Sequence, residues 1–282
     1  MLDTIPSEPT TEVIVVDNGS TNDEASVIAQ RYPWVKVVRS PENLGFAGGN
    51  NLGIKASSGR YLFFVNNDTE FPKDQGDHPL EPLIQRLASD TKIGVVCPKI
   101  RFAWGSHPIQ FTGYTPLSPI TMRNHSIGFG EEDNGQYDNP HPTPYAHGAA
   151  MMVKREAIER AGLMPECFFL YYEELDWSMM IRRSGFDIWF EPHFTIYHKE
   201  SQATGQDSPL KTYYITRNRL LFARRNTKFP VRWLTYFYLM VPVFLRDFLK
   251  HTLRHRNDLR HATTRGISDF IHSRYGQCFK PL

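Results

Sequence analysis

The first hundred residues alternate short, continuously apolar runs with amphipathic stretches of helical length. The runs are EVIVV from Glu12, RYLFFV from Arg60 and IGVVCP from Ile93. Continuous apolar runs joined by helices are typical of strands that are buried on both faces of a sheet covered by helices. The pattern therefore predicts an α/β fold with a mostly parallel sheet, helices on both faces and further helices toward the C-terminus.

Carboxylates follow two of these runs directly. Asp17 comes after the first run, and Asn66, Asn67 and Asp68 come after the second. Ligands of such sheets bind at the carboxyl ends of the strands. Mg²⁺ and Mn²⁺ take few protein oxygens and several oxygens from a phosphate ligand, so one fixed aspartate is a candidate metal ligand. Asn-Asn-Asp-Thr also has the composition of an ordinary turn, and that alternative stays open at this point.

Two polar segments are candidates for binding a nucleotide. Asp17 and Asn18 begin a turn that could hold a base and ribose or could simply cap the next helix. Asn43, Gly45 and Asn50 belong to a glycine-rich segment that opens the second helix. Glycines allow close approach of a ligand, and a helix N-terminus favours phosphate. The segment lacks the dinucleotide fingerprint GxGxxG, and close helix packing is the alternative explanation.

The second half contributes an acidic cluster and one histidine. The cluster is EELDW, from Glu173 to Trp177. Like charges in one pocket raise a carboxyl pKa and suit it to proton abstraction, although acids in a first helical turn are common. His198 ends a predicted strand and could bind Mn²⁺ or have a structural role. A glycosidase could use two of these carboxylates, but that leaves the sheet of the first half unexplained.

Composition excludes several classes of protein. With 40% apolar and 22% charged residues the chain is not disordered, and a net charge of +2 gives no basic surface for nucleic acid. Three cysteines without paired spacing exclude a cysteine zinc module and indicate a reducing, cytoplasmic compartment. The N-terminal residues lack the apolar run of a signal peptide.

One apolar segment lies near the C-terminus, from Trp233 to Leu245. As a helix it measures roughly 20 Å, whereas the hydrocarbon core of a bilayer is about 30 Å thick. Basic residues flank it, so we expect an interfacial helix over Phe229–Lys250 on an anionic membrane surface, at the inner face of the cell membrane. A core helix is the alternative. We expect residues 1–226 to form the sheet domain and residues 227–282 a helical extension.

Taken in order, the motifs resemble family-2 glycosyltransferases with the GT-A fold. The resemblance rests on TEVIVVDNGSTND, NLGFAGGNNLGI, GRYLFFVNNDTEF, FFLYYEELDWSMMIRRSGF and FTIYHKES, and it extends from Thr11 to Arg225. The rhamnosyltransferase-like branch is the most similar one. Members normally begin with one more strand and helix, so we expect either an upstream start or a weakened enzyme.

The resemblance implies roles for the matched residues on the donor side. Asp17 would contact the nucleobase or ribose, with Asn18, Asn43, Gly45, Asn50 and Asn67 completing the donor site. Asp68 and His198 would bind Mg²⁺ or Mn²⁺ beside the diphosphate. Asn66 stands where many members carry a second aspartate.

On the acceptor side, the resemblance makes Glu174 the catalytic base, a position where aspartate is more frequent. Asp176 and Trp177 would face the acceptor.

The function implied is inverting transfer of a sugar from a nucleotide-diphosphate sugar to a hydroxyl of a cell-envelope or surface glycan. The branch makes dTDP-rhamnose a candidate donor and a lipid-linked glycan a candidate acceptor, and it implies no nucleic-acid partner. Two alternatives belong to other classes: a nucleotide-sugar-binding remnant without turnover, and a nucleotidyltransferase with a similar sheet and metal. Release of free nucleoside diphosphate only when acceptor is present distinguishes the transferase from both.

Overall fold

The computed structural model describes residues 1–5, 10–73, 75–76, 78–199 and 208–278. The last two residues of the FTIYHKES motif lie outside this part of the chain. The strands within it are β1 (Val13–Asn18), β2 (Val35–Ser40), β3 (Tyr61–Val65), β4 (Thr69–Glu70), β5 (Ile93–Phe102), β6 (Ile109–Phe111), β7 (His141–Pro142), β8 (Ala150–Lys154) and β9 (Asp187–His198). The helices are α1 (Glu24–Arg31), α2 (Gly45–Ala56), α3 (Glu81–Ser89), α4 (Arg155–Ala161), α5 (Glu173–Arg183), α6 (Pro209–Asn226), α7 (Val231–Tyr238), α8 (Phe244–Leu253) and α9 (Asn257–Ile271), with a π-helical segment (Leu239–Val243) between α7 and α8.

The strands form two sheets. β1 and β2 make a parallel pair, and the larger sheet has the order β3-β8-β5-β9-β4, with β6 added to β5 and β7 to β9. β5 and β9 run parallel, whereas β8 runs antiparallel to both β3 and β5. The expected α/β fold is confirmed, and the sheet is mixed where a mostly parallel one was predicted. Apolar runs report burial on both faces but carry no information on strand direction.

The region between β5 and β8 has short strands and long loops. After α5 the chain forms one continuous strand, β9, which carries a register shift opposite Pro98 and Lys99 of β5. This long strand brings His198 to the end of the sheet where β4 pairs with it, and Thr69 lies directly opposite His198.

Two large apolar clusters lie within the described part of the chain. The first lies between the large sheet and helices α2 to α5, and it includes Phe64, Val96, Met152 and Trp177. The second joins the C-terminal helices to the sheet domain, since Leu239 and Phe270 share it with Phe168, Leu175 and Leu220. The division of the chain at residue 226 stays a prediction, because this common apolar cluster crosses it.

The helices from α7 to α8 expose a line of apolar side chains at a spacing of four residues. Its members are Trp233, Phe237, Val241, Leu245, Leu249 and Leu253. Trp233 and Phe237 are 64% and 65% exposed, which is unusual for side chains of this size. Within the described residues, no helix combines the length and the apolar character needed to cross a membrane.

Candidate active site

Asp68 and His198 meet at the end of the large sheet. Asp68 directly precedes β4, His198 ends β9, and His198 Nε2 lies 3.1 Å from Asp68 Oδ1. The pKa of Asp68 is lowered, chiefly by its contact with the His198 ring, so the carboxylate is ionised at neutral pH. On the other side of the ring, Nδ1 lies 2.8 Å from Oε1 of the buried Gln110. With the Gln110 amide oxygen as acceptor, Nδ1 donates, and Nε2 then faces Asp68 either as an N–H donor of the charged ring or with the lone pair of the neutral ring.

This pair has the features of an incomplete cation site. Asp68 Oδ1 is buried and lacks a hydrogen bond of good geometry to any described residue, although Nε2 is close. A lone pair facing a carboxylate is unfavourable unless a proton or a cation lies between them. Among the described residues no group of three or more histidine, cysteine, aspartate or glutamate side chains surrounds a common point. The two residues fit a Mg²⁺ or Mn²⁺ ion that takes its other ligands from phosphate and water.

The polar segment after β1 is tied to the start of α2. Asn18 Nδ2 donates to the Gly45 carbonyl at 2.9 Å, and Asn18 Oδ1 accepts from Leu44 N at 3.0 Å. Asn43 Oδ1 accepts from Gly45 N at 2.9 Å. Asp17 remains partly exposed, and the hydrogen bonds from Ser20 lower the pKa of its carboxyl. Asn18 and Asn43 therefore shape the loop, whereas Asp17 keeps an oxygen for a ligand.

Gly45 brings α2 against the loop that precedes α5. Its φ is +73°, and a Cβ atom at this position would lie 2.3 Å from the Phe169 carbonyl oxygen. Phe46 N donates to that same oxygen at 2.8 Å. Asn50, one turn further along α2, donates to the Phe46 carbonyl and is half-buried. Asn67 is exposed beside Asp68. Of the predicted donor-side residues, Asp17 and Asn67 have the side chains most available to a ligand.

Glu174 lies in the first turn of α5, behind a loop of unusual backbone conformation. Phe169, Tyr171 and Tyr172 all have positive φ values, between 66° and 77°. Glu174 is half-buried, and burial raises the pKa of its carboxyl above the ordinary value. The neighbouring Glu173 is fully buried with Oε2 lacking a partner among the described residues; burial raises its pKa further, and repulsion by Glu174 adds to the rise.

Two adjacent residues of α6 hold this loop. Asn218 Nδ2 donates to the carbonyl oxygens of Phe168, Leu170 and Tyr171 at 2.9, 2.7 and 2.9 Å. Arg217 Nη2 also donates to the Phe168 carbonyl, at 2.8 Å. Both side chains are buried. Sequence reasoning did not identify either residue, because nothing in the motif RNR predicts a contact with a loop about fifty positions earlier.

Asp176 and Trp177 do not reach the crevice, contrary to the expectation that they face an acceptor. Asp176 is buried, with Oδ2 2.9 Å from Arg225 Nε and Oδ1 2.6 Å from Asn226 Nδ2. Trp177 is completely buried, donates from Nε1 to the Gly162 carbonyl and packs edge-on against Phe64. Their positions in the helix turn them toward the core, so both anchor α5 and leave Glu174 as the accessible carboxylate.

The segment before β8 connects the two halves of the site. Sequence reasoning did not identify this segment either. A Cβ atom on Gly148 would lie 3.6 Å from Glu174 Cγ and 3.7 Å from Phe46 Cζ. The adjacent His147 ring lies edge-on to His198, with ring centroids 6.4 Å apart. Burial lowers the pKa of His147 to about 3, so its ring is neutral, with Ala149 N donating to Nδ1. The order in space is therefore Glu174, Gly148, His147, His198 and Asp68.

Comparison with known proteins gives a consistent result. The model of the family described as Glycosyl transferase family 2 matches residues 2–162, more than half of the chain. The chain is 27% identical over 215 residues to the low-salt glycan biosynthesis hexosyltransferase Agl10 of Haloferax volcanii, covering 74% of this chain and 66% of that protein. It is 23% identical over 253 residues, 81% of each chain, to the N-acetylglucosaminyl-diphospho-decaprenol L-rhamnosyltransferase of Mycobacterium tuberculosis.

Two solved structures share the fold. GalNAc-T7, crystallised with UDP, GalNAc and Mn²⁺, superimposes with a TM-score of 0.57 at 15% identity, over 89% of this chain and 53% of that one. The mannosyltransferase PcManGT of Pyrobaculum calidifontis, in complex with GDP-Man and Mn²⁺, gives 0.56 at 16% identity, over 96% and 82%. The predicted GT-A architecture is thereby confirmed.

We expect Asn218→Ala to lower the free energy of unfolding by roughly 2–4 kcal/mol, because the Leu170 and Tyr171 carbonyl oxygens lose their donor while that of Phe168 keeps Arg217. Asn218→Asp, which keeps the volume but replaces the donor with an acceptor, should be at least as damaging. Urea denaturation measures both, with the exposed Asn134→Ala as the control expected to change little. Wild-type stability in Asn218→Asp would show that the hydrogen bonds do not hold the loop.

Proposed function

The chain belongs to glycosyl transferase family 2, and on that premise we propose that it is an inverting, metal-dependent glycosyltransferase. Its donor is a nucleotide-diphosphate sugar, for which dTDP-rhamnose is a candidate. Its acceptor is a hydroxyl of a cell-envelope or surface glycan, carried on a lipid. The rhamnosyltransferase relative, whose name includes a sugar-diphospho-lipid, supports the acceptor class.

One juxtaposition carries the proposal. Glu174, a partly accessible carboxylate, lies across Gly148 from the N-terminal residues of α2, and His147 links it to the pair Asp68 and His198. A base and a candidate diphosphate-binding site therefore flank one short segment. This is the arrangement that a single displacement at an anomeric carbon requires, with the attacking hydroxyl on one side and the leaving group on the other.

Glu174 would act as the general base. It takes the proton of the acceptor hydroxyl while the oxygen forms a bond to the anomeric carbon. The bond from that carbon to the diphosphate breaks, and the diphosphate leaves with the electron pair. One displacement inverts the anomeric configuration, and the mechanism needs no enzyme nucleophile. Burial raises the pKa of Glu174 toward neutral pH, which makes its carboxylate a stronger base.

Asp68 and His198 would hold the metal ion, with diphosphate and water supplying its remaining ligands. When bound, Mg²⁺ or Mn²⁺ neutralises the charge that develops on the departing diphosphate. Asp17, which stays ionised and partly exposed at the end of β1, would bind the ribose or base. The start of α2 would favour phosphate through the positive end of its helix dipole, since the N–H groups of Gly45 and Phe46 already donate to Asn43 and Phe169.

We further propose that the α7–α8 helices attach the enzyme to the cytoplasmic membrane surface. The apolar line from Trp233 to Leu253 supports this, because such a face is costly in water and suits the boundary between headgroups and acyl chains. Attachment would bring the sheet domain to a lipid-linked acceptor.

Donor binding is expected to require the metal. We expect Asp68→Asn to abolish donor binding in the presence of Mn²⁺, because one of two protein ligands loses its charge. Isothermal titration with the nucleotide sugar measures this, and EDTA should have the same effect on the wild type. As a control, Asp17→Asn should weaken donor binding but leave its metal dependence intact. Equal donor affinity with and without EDTA would contradict the metal site.

Loss of the base should affect transfer and not donor binding. We expect Glu174→Gln to lower kcat by about two to four decades while donor affinity stays unchanged. The wild-type rate should rise with pH through the pKa of Glu174, which burial places above that of an ordinary glutamate.

The neighbouring Glu173→Gln is the matched control for this experiment. It makes the same chemical change in a buried side chain and should keep transfer while stabilising the protein at neutral pH, since it removes a carboxyl that burial penalises. An inactive Glu173→Gln beside an active Glu174→Gln would reverse the assignment.

Membrane attachment is tested by flotation with anionic vesicles. We expect the wild type to float and Phe237→Ser to reduce the bound fraction several-fold, since an aromatic anchor is lost. Phe129→Ser is the matched control, because Phe129 is 60% exposed but lies in the region between β6 and β7. A wild-type protein that remains at the bottom of the gradient would exclude attachment.

A further inference from the structure

A cavity of about 250 Å³ lies beneath the α8 helix, and its walls come from α6, α8, α9 and the segment around Arg123. It is lined by five side chains with a permanent positive charge: Arg123, Lys211, Arg219, Arg246 and Lys250. Asp247 is the single acidic residue among the described residues that line it, and its Oδ1 pairs with Arg246 at 2.7 Å. The cavity therefore carries a strong excess of positive charge in a protein whose net charge is only +2.

Most of these cationic side chains have no ion-pair partner in the part of the chain that the structure describes. Arg123, Lys211 and Lys250 make no ion pair there. Arg219 is only 6% exposed, its guanidinium donates to the Thr121 carbonyl, and it forms no ion pair with a carboxylate of the described residues. Burial lowers its pKa, and repulsion from Arg123 and Arg246 acts in the same direction. Confining like charges around a partly apolar space is costly, so an anion bound there would be strongly favoured.

The remaining walls of the cavity are apolar. Leu239 and Val243 come from the π-helical segment, Ile215 and Leu220 from α6, and Ile267 from α9. The same helical segment that contributes Val243 and Lys250 to the cavity exposes Val241, Leu245 and Leu249 on its outer side. A ligand with an anionic group and an apolar chain matches both surfaces of this segment.

The cavity also lies next to the loop that precedes α5. This loop, residues 168–172, is called the catalytic loop below. Tyr172, two residues before Glu174, donates its hydroxyl to the Met122 carbonyl at 3.1 Å. Arg219 holds the preceding carbonyl, that of Thr121, and Arg123 follows Met122 in the cavity wall. The charges of Arg219, Arg123 and Glu174 all act on the Tyr172 phenol. The Tyr172 side chain therefore links the loop that carries the proposed base to the wall of the cationic cavity.

We infer that this cavity binds the phosphate groups of a lipid-phosphate-linked acceptor. The inference rests on the proposed function, and it names the part of the acceptor that the protein recognises. With its phosphates among Arg123, Arg219 and Lys250, an acceptor would direct its sugar past Tyr172 toward Glu174 and its lipid chain toward the exposed face of α8. Arginine and lysine at a phosphate form charge-assisted hydrogen bonds, which are the strong ones.

The test uses the full chain and the double variant Arg123→Gln/Lys250→Gln, which leaves Arg219 and its backbone contact intact. Its control is Lys228→Gln/Arg254→Gln, which removes the same charge from exposed positions near α7 and α8 that do not line the cavity. Binding of a short-chain prenyl diphosphate is measured by titration in EDTA without donor, so that the Asp68 site does not contribute. We expect the cavity variant to lose affinity at least about tenfold and the control to retain it.

Transfer provides a second readout, with a diphosphate-linked acceptor and an alkyl glycoside of the same sugar, both in detergent. The cavity variant should raise KM for the diphosphate acceptor at least about tenfold more than KM for the alkyl glycoside. If the wild type transfers sugar but both variants bind prenyl diphosphate equally, the inference fails and the proposed function stands. Prenyl diphosphate binding that depends on the cavity, without any transfer, supports the inference and contradicts the function.

Phospholipid headgroups are the other source of the same chemistry. Short-chain phosphatidylglycerol is therefore titrated in parallel. Affinity equal to that of prenyl diphosphate, lost equally in the cavity variant, would overturn the assignment to an acceptor and identify a general phospholipid site. Markedly weaker binding of phosphatidylglycerol supports the acceptor assignment.

Discussion

The loop before α5 depends on hydrogen bonds from outside itself, and the proposed active site depends on that loop. Three of its residues have positive φ values, which cost of order 1–3 kcal/mol each for residues other than glycine. Four consecutive carbonyls, from Phe168 to Tyr171, point away from any regular ladder. Asn218 binds three of them and Phe46 N binds the fourth, so the strained conformation has no unsatisfied acceptor among these carbonyls.

The electrostatics of the site oppose stability. Burial raises the pKa of both Glu173 and Glu174 in the folded protein. A carboxyl with a raised folded pKa favours the folded state below the unfolded pKa and loses that contribution as the pH rises through the folded pKa. The protein is therefore less stable at neutral pH than it would be without the two acids. The buried contacts of Asp176 and Trp177 hold α5 in place despite the destabilising burial of the two glutamates. The same burial makes Glu174 a stronger base.

Local sequence patterns predicted the parts of the site that adjacent residues create. Asp17 and Asp68 follow buried runs, so their place at strand ends could be inferred from burial alone, and the start of α5 at the acidic cluster agrees with first-turn preferences. Two kinds of information were not available. The apolar runs do not record whether β8 runs parallel or antiparallel to its neighbours. The partners of Asp176 and of the catalytic loop lie about fifty residues away on α6. These partners are polar, and their sequence pattern does not predict that they are buried.

Helix α6 explains why the catalytic loop and the cationic cavity lie side by side. Asn218 and Arg219 are consecutive, and consecutive residues of an α-helix point about 100° apart. Asn218 consequently faces the loop that carries Glu174, while Arg219 faces Thr121 and the cavity. The hydrogen bond from Tyr172 to the Met122 carbonyl connects the catalytic loop to the cavity wall. A displacement of α6 by an anion in the cavity would reach the proposed base through hydrogen bonds shorter than 3 Å. Placement of the proposed acceptor and placement of Glu174 would therefore depend on the same helix.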